Sequence, residues 1–89
     1  SYENFLINKK NSRIILMTTK AEKKYHNFIF KPKDTILFGR ESEGVPRIVH
    51  NKSYQKLKIP LKNKARSLNI GMAVAITLTE ALKQNYFLK

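Results

Sequence analysis

The sequence has no cysteine, three glycines, three prolines and six acidic residues among 89 positions. Without cysteine there is no disulfide scaffold, no thiolate zinc site and no thiol nucleophile, a composition compatible with a reducing cytoplasm. The glycines at positions 39, 44 and 71 spell neither a G-x-G-x-x-G fingerprint nor a P-loop. No hydrophobic run is long enough to cross a membrane. The most apolar stretch, 68–82, is broken by Asn69, Gly71, Thr77, Thr79 and Glu80, and reads as a buried soluble helix. The opening residues SYEN carry neither a signal peptide nor a basic amphipathic leader, and the lack of an initiator Met fits an excerpt or a processed product. His26 and His50 stand far apart with no carboxylate cluster nearby, which argues for surface histidines and against a metal site or a catalytic triad.

What the sequence has in excess is positive charge. Eighteen Lys and Arg against six acids give a net charge of +12. Such an excess favours a polyanionic partner, because neutralising phosphates releases their counterions. Fourteen of the 18 are Lys, and with so much Asn and Ile beside them a biased nucleotide composition could produce the same mix.

The hydrophobic pattern gives short strands alternating with helical stretches, hence an α/β fold with a parallel sheet. Positions 2–7 read as the end of a short helix. RIILMTT (13–19) is a continuous apolar run with β-branched residues, as in a strand covered on both faces. Positions 20–27 read as a surface turn or short helix, after which Phe28-Ile-Phe packs back onto the body. Pro32-Lys-Asp signals a turn before a second strand, TILF (35–38). Positions 39–46 form a loop, and Pro46 suits the first turn of a short helix through Ile48 and Val49. KLKIPL (56–61) is a third strand, with Leu57 and Ile59 out of phase with the two lysines and Pro60 ending it. A basic loop over 62–66 leads into the strongest helix, 67–84, whose first half is apolar on nearly every face and so expects burial on several sides. Three strands and one such helix cannot cover each other, so a further segment or a second subunit is expected to complete the core.

Two segments could carry chemistry. DTILFGRESEGVP (34–46) runs from a strand into a glycine-containing loop with Arg40 and Glu41. Ligand sites of open α/β sheets lie beyond the carboxyl ends of strands, where Gly39 falls; an ordinary turn with solvated charges is the equal alternative. The second segment runs from Ile59 through Arg66, Ser67, Leu68 and Asn69. Ser67 or Asn69 can cap the helix, and Arg66 could meet a phosphate, pair with Glu41, or be a plain surface residue.

Taken in order, FGRESEGVP (38–46), IPL (59–61), RSLNI (66–70) and AVAI…EALKQ (73–84), preceded by LMTTK (16–20), resemble the motifs of the SpoU-type, SPOUT-class RNA ribose 2′-O-methyltransferases. Among these the sequence is most similar to the bacterial enzymes of the tRNA wobble nucleotide. The likeness spans about 13–87. It implies an α/β parallel-sheet fold with a C-terminal trefoil knot, of which residues 1–89 would be the C-terminal part of a single domain. It implies S-adenosylmethionine as methyl donor, bound by Met17, Thr18, Gly39, Glu41, Ile59, Leu61, Ser67, Leu68 and Asn69. Glu41 and Asn69 would support catalysis, and Arg40, Arg66, Lys62 and Lys64 would hold RNA. A homodimer through the last helix, a tRNA substrate, a cytoplasmic location and no metal are further implications. Gly71, Leu61 and Lys83 depart conservatively from the family's usual Ser, Met and Arg. The family's first motif, with an Arg that assists the ribose hydroxyl, is absent from these residues and is expected in a preceding segment. Two alternatives stand beside this reading: a SpoU-type enzyme of rRNA or another tRNA position, and an inactive, truncated basic RNA-binding fragment.

Overall fold

The computed structural model describes residues 11–39, 45–62 and 68–87. Strand β1 (Ile14–Met17) is followed by a single 3-10 turn (Tyr25–Asn27), β2 (Thr35–Phe38), α1 (Arg47–Lys52), β3 (Gln55–Leu57) and α2 (Ile70–Leu82). A wider, π-type turn, Lys83–Phe87, continues α2. The short helix expected over positions 2–7 and the basic loop over 63–66 lie outside the described residues.

The three strands form one sheet in the order β2-β1-β3, and both pairings are parallel. All four residues of β1 are buried, the expected fate of an uninterrupted apolar strand in a sheet covered on both sides. Ile15 and Met17 face one cluster with Phe28, Phe30 and Leu57. Ile14 and Leu16 face the other, with Val49 of α1. Helix α1 starts directly after Pro46, whose carbonyl accepts from the N–H groups of Val49 and His50 at 3.0 and 3.3 Å. Proline suits that place, since it has no N–H to leave unpaired.

β3 keeps the predicted alternation: Leu57 is buried, and Ile59 packs on the Met17 cluster. Its regular pairing is shorter than the sequence suggests. The Lys58 N–H donates to the Lys23 carbonyl and the Tyr25 N–H to the Lys58 carbonyl, both at 2.9 Å. The segment after β1 thus runs along the outer edge of β3 and bridges it at Lys24 and Lys58.

Phe28 and Phe30 pack inward as expected, but Ile29 between them is 77% exposed, because the segment is extended and adjacent side chains point to opposite sides. Among the described residues this segment has no strand partner. Two side chains from the end of α2 serve instead. Gln84 accepts from the Phe30 N–H (2.8 Å) and donates to the Phe28 carbonyl (2.9 Å), and Asn85 donates to the Phe30 carbonyl (3.1 Å).

Helix α2 begins at Ile70 with Asn69 as its cap; the Asn69 Oδ1 accepts from the Met72 N–H at 2.9 Å. The expected burial on several sides is not met. Thr77 is buried and Ala81 packs on the Met17 cluster, whereas Ile70, Met72, Leu78 and Leu82 are exposed. Among the described residues no further element is available to lie on those sides.

Candidate functional site

The register places Met17 beside both Phe38 and Leu57, so the three strands end at one level. Their exits are laced together. The Gly39 N–H donates to the Met17 carbonyl at 3.1 Å, and the Thr18 N–H donates to the Leu57 carbonyl at 2.8 Å. Met17, Thr18 and Gly39 therefore form one continuous edge, the position at which open α/β sheets bind ligands. Ile59 and Phe38 join the same apolar cluster as Met17, so the edge has an apolar floor. Leu61 is half-buried.

Gly39 is required by close packing. A Cβ built there would lie 2.5 Å from Cγ2 of Val45 and 3.6 Å from the Met17 carbonyl oxygen. Val45 is itself packed against the Leu16 cluster, so it has little room to give. The missing side chain lets the chain leaving β2 and the chain entering α1 touch beside Met17.

Asn69 and Leu68 stand at the entrance to α2, Leu68 half-buried and Asn69 exposed with its side chain engaged as the cap. Lys62 is exposed. Arg40, Glu41, Lys64, Arg66 and Ser67 lie outside the described residues. Among the described residues no group of three or more His, Asp or Glu is gathered as a metal site, and no helix is long and apolar enough to cross a membrane.

Sequence reasoning missed the strongest polar contact. The Asp34 carboxylate accepts from the Arg13 Nε and Nη2, each at 2.6 Å, and from the Lys31 N–H at 2.8 Å. The Asp34 side chain is only 4% exposed. Burial alone would raise its pKa, but the Arg13 guanidinium and the Lys31 amide outweigh it and hold the carboxyl below the usual range. Arg13 is further placed over the rings of Phe28 and Tyr54, 5.1 and 4.6 Å from their centres. A signal for the pair did exist: each residue immediately precedes a strand, and parallel strands in register put those two positions side by side. The Gln84 amide and Lys83 likewise hold the Glu80 carboxyl below its ordinary value against the opposing effect of burial.

A parallel α/β sheet whose strands end at one level belongs with the open-sheet enzymes and binding proteins. Residues 1–79 match the SpoU rRNA Methylase family, and the chain belongs to that family. It is similar to a tRNA (cytidine(34)-2′-O)-methyltransferase of Beijerinckia indica, with 47% identity over 72 residues, covering 81% of this chain and 45% of the relative. Among solved structures, one from work on the 2-OH methylation of C/U34 on tRNA superposes with a TM-score of 0.82. It is 33% identical, covering 94% of this chain and 55% of the other. The fold is also shared, at 24% identity and a TM-score of 0.74, with an AdoMet-bound rRNA methyltransferase from Sinorhizobium meliloti, covering 90% of this chain and 32% of that one. The chain spans about half the length of the curated relatives it matches.

Proposed function

We propose that these residues form the methyl-donor-binding and dimerising part of a tRNA 2′-O-ribose methyltransferase acting on the wobble nucleotide. The observation that carries this reading is the laced edge of Met17, Thr18 and Gly39 at the strand ends, in a chain 47% identical to a relative named for that reaction. An rRNA substrate, which the family's name suggests, ranks second because that relative and others like it are named for the tRNA nucleotide.

S-adenosylmethionine fits the residues present in kind. Ile59, Leu61 and Leu68 offer apolar surface for its adenine and carbon chain. Thr18 and the main chain of the strand ends offer neutral hydrogen-bonding groups, with the Met17 and Leu57 carbonyls already committed to Gly39 and Thr18. Glu41 and Ser67 complete this set. When bound, the cofactor supplies a methyl group on a positively charged sulfur. The residues of this chain contribute by positioning, holding donor and ribose in line so that transfer needs little further loss of freedom. Asn69 fixes the start of α2. Glu41 is assigned a supporting role in orienting the donor. Arg40, Lys62, Lys64 and Arg66 hold RNA phosphates. No residue of this chain is assigned to take the ribose hydroxyl proton.

A second copy of the chain is the proposed cover for the exposed apolar side of α2. The protein is assigned to the cytoplasm, with tRNA as its partner and no metal in the reaction.

Titration of the protein with S-adenosylmethionine tests the pocket. Saturable binding is expected, weakened at least tenfold by Gly39→Val, which forces Val45 away from the strand edge at a cost of about 1–3 kcal/mol. Asn69→Ala, which removes a cap contributing about 1 kcal/mol, should weaken it less. No binding by the unsubstituted protein, or full binding by both variants, would overturn the assignment.

A further inference from the structure

Beside the strand-end edge lies a concavity that the reading above does not use. It is a cleft of about 440 Å³ between the turn that follows β1 and the start of β3. Lys20 and Lys23 line it from the turn, and Tyr54, Gln55 and Lys56 line it from the strand, with Glu22 as the single acid. Three ammonium groups against one carboxylate leave a net charge of +2 in a small space. Among the described residues none of the three lysines is held in a salt bridge; the ion pairs there are Arg13 with Asp34 and Lys83 with Glu80.

The lysines stand on a fixed frame. Ala21 is buried and its N–H donates to the Thr18 carbonyl at 3.2 Å, closing the turn that carries Lys20. The Lys23 carbonyl is tied to the Lys58 N–H, and Lys56 is in register with the fully buried Leu16. Tyr54 is anchored by its own N–H to the Ile14 carbonyl at 2.8 Å. The residue is 62% exposed, with the Arg13 guanidinium over one face of its ring. Exposed aromatic rings beside lysines suit the bases and phosphates of a nucleic-acid strand together.

The cleft also adjoins the pocket in the chain. The Lys20 N–H donates to the Thr18 hydroxyl at 3.3 Å, and Thr18 belongs to the strand-end edge. We infer that this cleft is a second RNA-contact surface, gripping the sugar-phosphate backbone of the substrate away from the methylated ribose. The inference rests on the RNA-methyltransferase reading. It adds Lys20, Lys23, Lys56 and Tyr54 to the residues that touch RNA.

The test is the salt dependence of binding to an unmodified tRNA transcript, followed by fluorescence anisotropy. The protein is compared with K20Q/K23Q/K56Q and with K31Q/K33Q/K83Q, which removes the same charge elsewhere. Each phosphate left without its lysine makes the slope of log K against log salt shallower by roughly 0.7–0.9. The cleft variant should therefore show a slope shallower by about 2 and an affinity at least tenfold lower than the control variant. Donor binding and thermal midpoint should be unchanged in both. Cleft and control variants that bind tRNA alike would overturn the inference while leaving the methyltransferase reading intact. So would polyglutamate competing with tRNA for the cleft as well as polyuridylate does, since the surface would then serve an acidic protein. An unsubstituted protein that binds neither donor nor tRNA would overturn both.

Discussion

Arg13 and Asp34 each sit one residue ahead of a strand, and the parallel register brings them together at the edge opposite the candidate pocket. The pair contributes to how the molecule responds to acid. The Asp34 carboxyl is held below its unfolded value of about 3.9. Its contribution is therefore complete above about pH 4 and is lost as pH falls through the lower, folded-state value. Thermal midpoints between pH 7 and pH 2.5 should fall less steeply for Asp34→Asn than for the parent protein; parallel curves would contradict this. The Asn69 cap was legible in the sequence because its role is local, an amide ahead of a helix, whereas the packing of Gly39 against Val45 was not, because it depends on how the chain returns towards α1. The Arg13–Asp34 pair was not, because it joins residues 21 apart and depends on strand register, which periodicity alone does not supply.

At the scale of elements, β2 emerges from its pattern to the residue, whereas β1 is expected over 13–19 and pairs over Ile14–Met17, and the short helix expected after Pro46 runs over Arg47–Lys52. β3 gains contacts on its outer edge from a segment more than thirty positions earlier, such as Lys23 with Lys58, which no local pattern reveals. The extended stretch around Phe30 is likewise held from afar. Gln84 acts on it as a neighbouring strand would, satisfying one donor and one acceptor of the main chain. Gln84→Ala leaves the Phe30 N–H and the Phe28 carbonyl without these partners, at a cost of roughly 1–3 kcal/mol. Hydrogen exchange at the Phe30 amide should accelerate in that variant, while the Leu16 amide in β1 changes only as far as global stability does. Equal protection at Phe30 with and without the Gln84 side chain would remove this role.

For the molecule as a whole, the sequence indicated a core that these residues cannot close alone, and among the described residues one side of α2 is exposed. Ile70 is 58% and Met72 52% exposed, on a helix whose opposite side meets the Met17 cluster. The sequence could identify the helix as apolar but not which of its sides the sheet would cover, because that depends on where the sheet's own apolar face ends. If a second copy covers the remainder, Leu78→Lys should shift the protein from dimer to monomer in sedimentation velocity. Unchanged sedimentation would remove that face of α2 from the interface.

The most direct test of the central claim is chemical. Nucleoside mass spectrometry of tRNA from cells lacking the gene should show loss of the 2′-O-methyl group at the wobble nucleotide, restored by the intact gene and not by Gly39→Val. Wobble 2′-O-methylation that persists unchanged in the deletion strain would contradict the proposed function.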